Sequence, residues 1–220
     1  NYCAIISIMG PAFLVVKPLS FWKKVLWTDE TKVCLRGSDG RKNIWVEDTG
    51  EHDENPAENR VRGTKKFDGG NVMIWGCVSG YGVGPLHRIE GTMDRYQYVD
   101  IISEKVPIAV TNMCLPEDWV FQQDRDSKHT AIFTQEFIES QGWNLMEWPA
   151  QSPDLNPIEG LWNTCKRRRG NQIGVNGEDT YAQFELAWKS ITPAEIMREV
   201  ASMRKRCKAV IKAHGGHTKY

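Results

Sequence analysis

Residues 119–129, WVFQQDRDSKH, and residues 148–162, WPAQSPDLNPIEGLW, decide how this chain is read. In the first, an apolar run from Trp119 to Phe121 passes into polar residues and ends on a carboxylate, Asp124. A buried strand delivers a charge to its exposed C-terminal edge in this way. In the second, Asn156 at a cap and Pro157 at the first helical position announce a helix, so Glu159 falls in its first turn, where the helix dipole favours an ionised carboxylate. Between the two carboxylates lie 34 residues. Each acid also has a plainer reading. Asp124 and Asp126 fit a turn pair, Asp126 and Asp154 compete with the chosen residues, and Glu159 fits a residue that only steadies its helix end.

Working outward, side chains alternate from Val25 to Val33, which places Val25, Trp27, Asp29 and Thr31 on one strand face and Glu30 on the other. Ser38-Asp39-Gly40 is a turn signal, and Asn43 to Val46 reads as the returning strand of a hairpin. Residues 47–70 are polar and charged with little periodicity, and loops of that length are functional or disordered. Asn71 to Val78 is a continuously apolar strand; Gly80, Gly82 and Gly84 mark the turn into another, Pro85 to Ile89. A helix over Asp94–Val110, the strand at 119–121, a helix over Thr130–Ser140, a short strand Asn144–Trp148 and the helix from Pro157 follow. Three antiparallel strands and then alternating strands and helices make an α/β fold with a mixed sheet and helices packed on it. Near the C-terminus Thr192, Pro193 and Glu195 form a capping box. Ile196, Val200, Met203, Cys207 and Val210 then recur along one face of a single helix, leaving Arg198, Arg204, Lys205, Arg206, Lys208 and Lys212 for the surface.

At 220 residues and 40% hydrophobic, with nine Trp, the chain is long and apolar enough for a substantial core. Six scattered cysteines with no CxxC pair argue against a zinc ribbon and fit free thiols in a reducing compartment. The net charge is zero, but residues 160–220 carry 12 Lys and Arg against 5 Asp and Glu, so an acidic body joins a basic tail. A solvated basic helix face explains the same charges. The apolar runs of residues 1–20 are broken by Gly10-Pro11 and Pro18, short of the roughly 20 residues a membrane span needs. They lack the basic start and small-residue cleavage site of a secretory signal, so no membrane partner is expected.

FQQDRDSKHTA together with WPAQSPDLNPIEGLWNTCKRR resembles the catalytic core of the Tc1/mariner transposases, in the Tc1-like branch whose third acid is Glu after 34 intervening residues. WTDETKVCLRGSDGRKNIW resembles the segment that carries that family's first acid, which makes Asp29 the third member of an Asp29, Asp124, Glu159 triad. GGNVMIWGCVSGYGVGPLHRIEGTMDRYQYVDII and KAVIKAHGGHTKY also look like their family counterparts, so the resemblance covers residues 21–220 and sets 1–20 apart as an atypical N-terminal segment. It implies an RNase H-like catalytic domain, a clamp-like loop over 47–70 that joins two copies into a homodimer, DNA as partner, and work in the nucleus. It also implies strand cleavage at transposon ends and transfer of 3′-OH ends to target DNA.

Such chemistry requires an in-line attacking oxygen, a stabilised leaving oxygen and neutralised phosphate charge, which two divalent cations about 4 Å apart supply. The expected cofactor is therefore Mg²⁺ or Mn²⁺, two ions per site, held by oxygen ligands. Asp29 is expected to bridge the pair, with Asp124 and Glu159 completing one ion each. His129 resembles the family's His after the second acid, near the metals or the scissile phosphate; a packing or hydrogen-bonding role fits it equally. Lys166, Arg167 and Arg168, in a run extending to Arg169, and Arg204, Lys205 and Lys208 are candidate phosphate contacts. Two positions depart from the family, Arg125 where Asn is usual and Ser127 where Pro is common; a guanidinium pointing inward would compete with a cation. The family's N-terminal helix-turn-helix region has no counterpart in these residues, so binding without sequence preference is expected. Two other readings remain: an inactive, domesticated relative that binds DNA or protein, and a ribonuclease H-type nuclease.

Overall fold

A computed structural model of the chain describes residues 14–35, 70–150, 152–170, 172–214, 216 and 218. The strand expected over 25–33 is the axis of the molecule. This β1 (Val25–Cys34) pairs antiparallel with β2 (Asn71–Ser79) on one side and parallel with β4 (Val120–Gln122) on the other; β3 (Gly82–Ile89) closes the outer edge in the order β3-β2-β1-β4. Alternation along β1 divides the core in two. Val25 and Trp27 face one cluster with Leu161, Trp162 and Phe184, while Leu26 faces a second with Tyr98, Ile102 and Phe121.

Helices cover both faces, as that division requires. They are α1 (Leu19–Lys23), α2 (Arg95–Asn112), α3 (Ser127–Thr130), α4 (Ile132–Ser140), α5 (Ile158–Arg169), α6 (Gly177–Lys189), α7 (Pro193–Ala201) and α8 (Met203–Lys212). The α2 start is set by Asp94, whose carboxylate accepts from the backbone N–H of Tyr96 and Gln97. None of the described helices is long and apolar enough to cross a membrane.

Four expectations need correction. The helix expected over 130–140 is two pieces, because Ala131 adopts an extended backbone between α3 and α4. The strand expected over 144–148 shrinks to one bridge, Leu145 with Phe121. The C-terminal helix keeps its capping box but is interrupted at Ser202, whose hydroxyl donates to the Glu199 carbonyl at 2.6 Å. A serine hydroxyl that bonds back to the preceding turn loosens a helix there. The five apolar residues still form one buried face, since Ile196, Val200, Met203, Cys207 and Val210 are all in the core. The α5 helix begins at Ile158, with Pro157 as its cap residue. Two helices, the short α1 and α6, lay outside the sequence reading, although Asn176 caps α6 by accepting from Asp179 N. The turn at 38–40, the returning strand at 43–46 and the clamp-like loop at 47–69 lie outside the described residues, as do residues 1–13. The chain leaves β1 at Leu35 and rejoins at Gly70, whose carbonyl accepts from Leu35 N at 2.9 Å.

Gly76 on β2 lies opposite Asp29. A Cβ there would come within 2.6 Å of both the Leu86 and Trp162 side chains. Trp162 is one helical turn from Glu159, so the missing side chain lets α5 sit close to the sheet beside Asp29. Gly76→Ala is expected to cost about 1–3 kcal/mol by overpacking, read as a lower urea midpoint.

Candidate active site

Asp29 stands on the central strand, and its neighbours on both sides organise what surrounds it. Thr28, one residue earlier, donates its hydroxyl to the Gln122 carbonyl at 2.7 Å, tying β1 to the end of β4. The Thr28 carbonyl accepts from the Asn156 amide at 3.0 Å, while Asn156 Oδ1 accepts from Ile158 N at 3.3 Å. One buried threonine thus anchors both the strand that leads to Asp124 and the turn that leads to Glu159.

The result is that Glu159 lies beside Asp29, close enough for its carboxyl group to oppose ionisation of Asp29. Asp29 titrates well above the ordinary carboxylate range, first because it is buried, then because of the charge of Glu159 and of Glu30.

Asp124 follows β4 by two residues, with its side chain 46% exposed. Its Oδ1 accepts from Asp126 N at 3.0 Å and faces His129 Nδ1 at 2.5 Å. Burial would raise its pKa, but the hydrogen bonds from His129 and from Asp126 N outweigh it and lower it on balance. His129 is buried, and its other nitrogen faces Glu30 Oε1 at 3.3 Å. Burial opposes its charge; the bonds to Asp124 and Glu30 prevail and raise its pKa. The ring packs 4.0 Å from the ring of buried Tyr98. Burial first, then the charges of Glu30, Asp124 and Asp29, keep the Tyr98 hydroxyl protonated far above its usual range.

Glu159 therefore lies beside Asp29, and Asp124 stands in a neighbouring cluster that reaches Glu30 through His129. Among the described residues no three His, Cys, Asp or Glu side chains close around one point. The rival acids are engaged elsewhere: Asp126 caps α3 and pairs with Lys128 at 2.9 Å, and Asp154 accepts from Thr218 N at 2.6 Å. The cleft beside Asp124, about 340 Å³, is lined by Gln123, Arg125, Thr130, Gln135 and Glu147 among others. Arg125 is exposed on its rim.

The basic candidates divide. Arg204, Lys205 and Lys208 are exposed. Arg168 is held by Glu195 through two contacts of 2.8 Å, and Arg167 donates to Thr164 Oγ1 at 3.1 Å. Arg206, assigned to the surface by helical spacing, is buried, because its guanidinium meets Glu199, Ser202 and the Asp154 carbonyl. Arg169 is buried as well, donating to the carbonyls of Cys34, Leu35 and Gln172. The sequence reading missed Thr28, Glu30 and Tyr98 as parts of the site. Only the period-2 placement of Glu30 opposite Asp29 hinted at any of them.

The description "DDE superfamily endonuclease" fits residues 24–177. The chain is 43% identical over 205 residues to the transposable element Tcb1 transposase of Caenorhabditis briggsae and 42% identical to the Tc1 transposase of Caenorhabditis elegans. Each match covers 90% of this chain and 71% of the relative. In three dimensions it resembles the Mos1 mariner paired end complex with Mn, at a TM-score of 0.82 and 17% identity over 100% of this chain and 64% of that one. It also resembles the catalytic domain of Mos1 mariner transposase, at 0.72 and 15% over 99% and 94%. This chain thus spans a little under two thirds of the longer Mos1 chain, and the likeness identifies its sheet and helices as an RNase H-like fold.

Proposed function

Since the chain belongs to the DDE superfamily of endonucleases, as a Tc1/mariner-type transposase catalytic domain, we propose that Asp29, Asp124 and Glu159 together hold divalent cations for cleavage and transfer of DNA strands. The observation that carries this reading is the Asp29–Glu159 carboxyl pair beside the central strand. Two neighbouring acids, both half-buried, are costly without a positive partner. Their all-oxygen donor set suits Mg²⁺ or Mn²⁺. Bound there, two such ions would activate the attacking oxygen and neutralise the leaving one.

The chain's own residues supply the rest. Thr28 and Asn156 hold the two acid-bearing segments against each other. Asp124 receives its hydrogen bonds on Oδ1, which leaves Oδ2 without a hydrogen bond among the described residues and available to an ion. The exposed Arg204, Lys205 and Lys208 on α8 offer charges to the DNA backbone. Mos1 structures include paired-end complexes with Mn and with Mg. By analogy the partner here is DNA held by two copies of the chain, joined through 47–70, in the nucleus.

Nicking of a DNA duplex is expected to require Mg²⁺ or Mn²⁺ and to fall by more than about 10³-fold in Asp124→Ala, as when one member of a catalytic unit is removed. Calorimetry should show the ion binding to the wild-type protein. Absence of ion binding, or undiminished nicking in the variant, would leave the inactive, domesticated relative as the better reading. A demand for a 2′-OH, tested with an RNA–DNA hybrid, would indicate a ribonuclease.

A further inference from the structure

We infer that Glu30 and His129 act as a positioning couple that fixes Asp124 relative to Asp29. This assignment rests on the enzymatic reading above and adds to it two residues and their task.

Backbone pairing alone does not place Asp124. The ladder between β1 and β4 covers three residue pairs and ends at Trp27 with Gln122, two residues short of the acid. What lies beyond the ladder is side-chain work. His129 stands between two carboxylates, with Nδ1 on Asp124 Oδ1 at 2.5 Å and Nε2 on Glu30 Oε1 at 3.3 Å. Carboxylates only accept, so each ring nitrogen is aimed at an acceptor and the imidazole bridges the two acids.

The ring itself is restrained on several sides. Tyr98 packs against it at 4.0 Å and donates its hydroxyl to Gln123 Oε1 at 2.7 Å; Gln123 Nε2 returns a bond to the His129 carbonyl at 3.1 Å. Gln135 donates to the same carbonyl at 2.6 Å. The far end of the couple is equally fixed. Glu30 sits on the Tyr98 side of β1, its side chain 10% exposed, with Lys128 Nζ at 3.9 Å. Asp29 projects from the next residue to the opposite face. A carboxylate on the inner face of a sheet is unfavourable unless a partner compensates it. Here the compensation runs through His129 to Asp124, and the shared strand makes Glu30 and Asp29 move together. Partners that orient a metal-binding side chain typically change ion affinity or activity by about 10–100-fold when removed.

The test uses the whole chain and three variants, with Mn²⁺ alone as the ion probe and a generic DNA duplex as substrate. Glu30→Ala is expected to lower kcat for nicking by about 10–100-fold with KM for DNA unchanged, and to weaken calorimetric Mn²⁺ binding by a similar factor. Glu30→Gln, which keeps an acceptor for Nε2, should recover most of both losses. His129→Gln, which keeps a donor for Asp124 but cannot span to Glu30, should resemble Glu30→Ala and serves in its place if that variant does not fold. A Glu30→Ala protein with wild-type kcat and Mn²⁺ affinity would overturn the positioning role, as would a Glu30→Gln protein no better than Glu30→Ala. A wild-type protein that neither nicks nor binds Mn²⁺ would overturn the enzymatic reading and this role with it, whereas a nicking wild type beside an unaltered Glu30→Ala overturns only the latter.

Discussion

Asp29→Asn is expected to melt at a higher temperature than the wild-type protein in metal-free buffer while losing DNA cleavage by more than about 10³-fold. Both effects have one cause. Burial and the adjacent Glu159 hold the Asp29 carboxyl well above its ordinary value of 3.8. The native state therefore retains a proton that the unfolded chain releases. Stability from that proton is present below the unfolded value and is lost as pH rises from there through the native one. An amide has no charge to lose, so the advantage of Asp29→Asn should grow with pH over that window. Mg²⁺ reverses the order by binding the native acids and stabilising them by mass action. It should raise the wild-type melting temperature, more at higher pH, and leave Asp29→Asn nearly unmoved. Thermal melts of the two proteins at several pH values, with and without Mg²⁺, decide the matter. A variant that is no more stable without metal, or that still cleaves, removes the basis for placing a cation between Asp29 and Glu159.

Arg206→Met is expected to be the most destabilising single change on the C-terminal helices. The side chain is 5% exposed, and it donates to Glu199 Oε2 at 2.7 Å, Ser202 Oγ at 2.7 Å and the Asp154 carbonyl at 2.9 Å. Removing it takes the buried partner from Glu199, itself 15% exposed and set against the first turn of α5 where Gly160 leaves room for it, and leaves that carboxylate only the more exposed Arg198, at 3.2 Å from Oε1. Breaking a buried pair from one side costs about 3–5 kcal/mol. For a chain of this size that corresponds to a fall of roughly 6–20 °C in Tm. Activity of the surviving folded protein should also drop, because Gly160 adjoins Glu159 and the turn is held from this side. Exposed Lys208→Met, on the same helix, should leave Tm within about 1 °C, as surface changes do. Equal effects of the two would show that Arg206 is not a buried anchor.

Much of this was legible in the chain. The strands read over 25–33, 71–78 and 85–89, the last reaching back to Gly82 in the fold, the helix capped by Asp94 and the capping box at Thr192 each carry their signal within a few residues, as alternating or continuous apolar runs or as caps. The α6 helix was less legible, because a buried Thr180 and an exposed Leu186 blur its apolar stripe and its cap is a lone Asn. The short strand over 144–148 read as regular because Leu145, Met146 and Trp148 are apolar, yet only Leu145 finds a ladder partner and the rest fill the core individually.

The sequence by itself determined which acids stand at the end of a strand and in the first turn of a helix, and its motifs told the family. Those properties are local, set by alternation, caps and neighbouring residues. Only the tertiary structure decided that Glu159 lies beside Asp29, that Glu30 reaches Asp124 through His129, and that Arg169 and Arg206 are buried anchors rather than phosphate contacts. A charged side chain looks the same in sequence whether it meets water, another charge or a ring. What it does is set by burial and by partners brought from far along the chain, and those exist only once the sheet and its helices have packed.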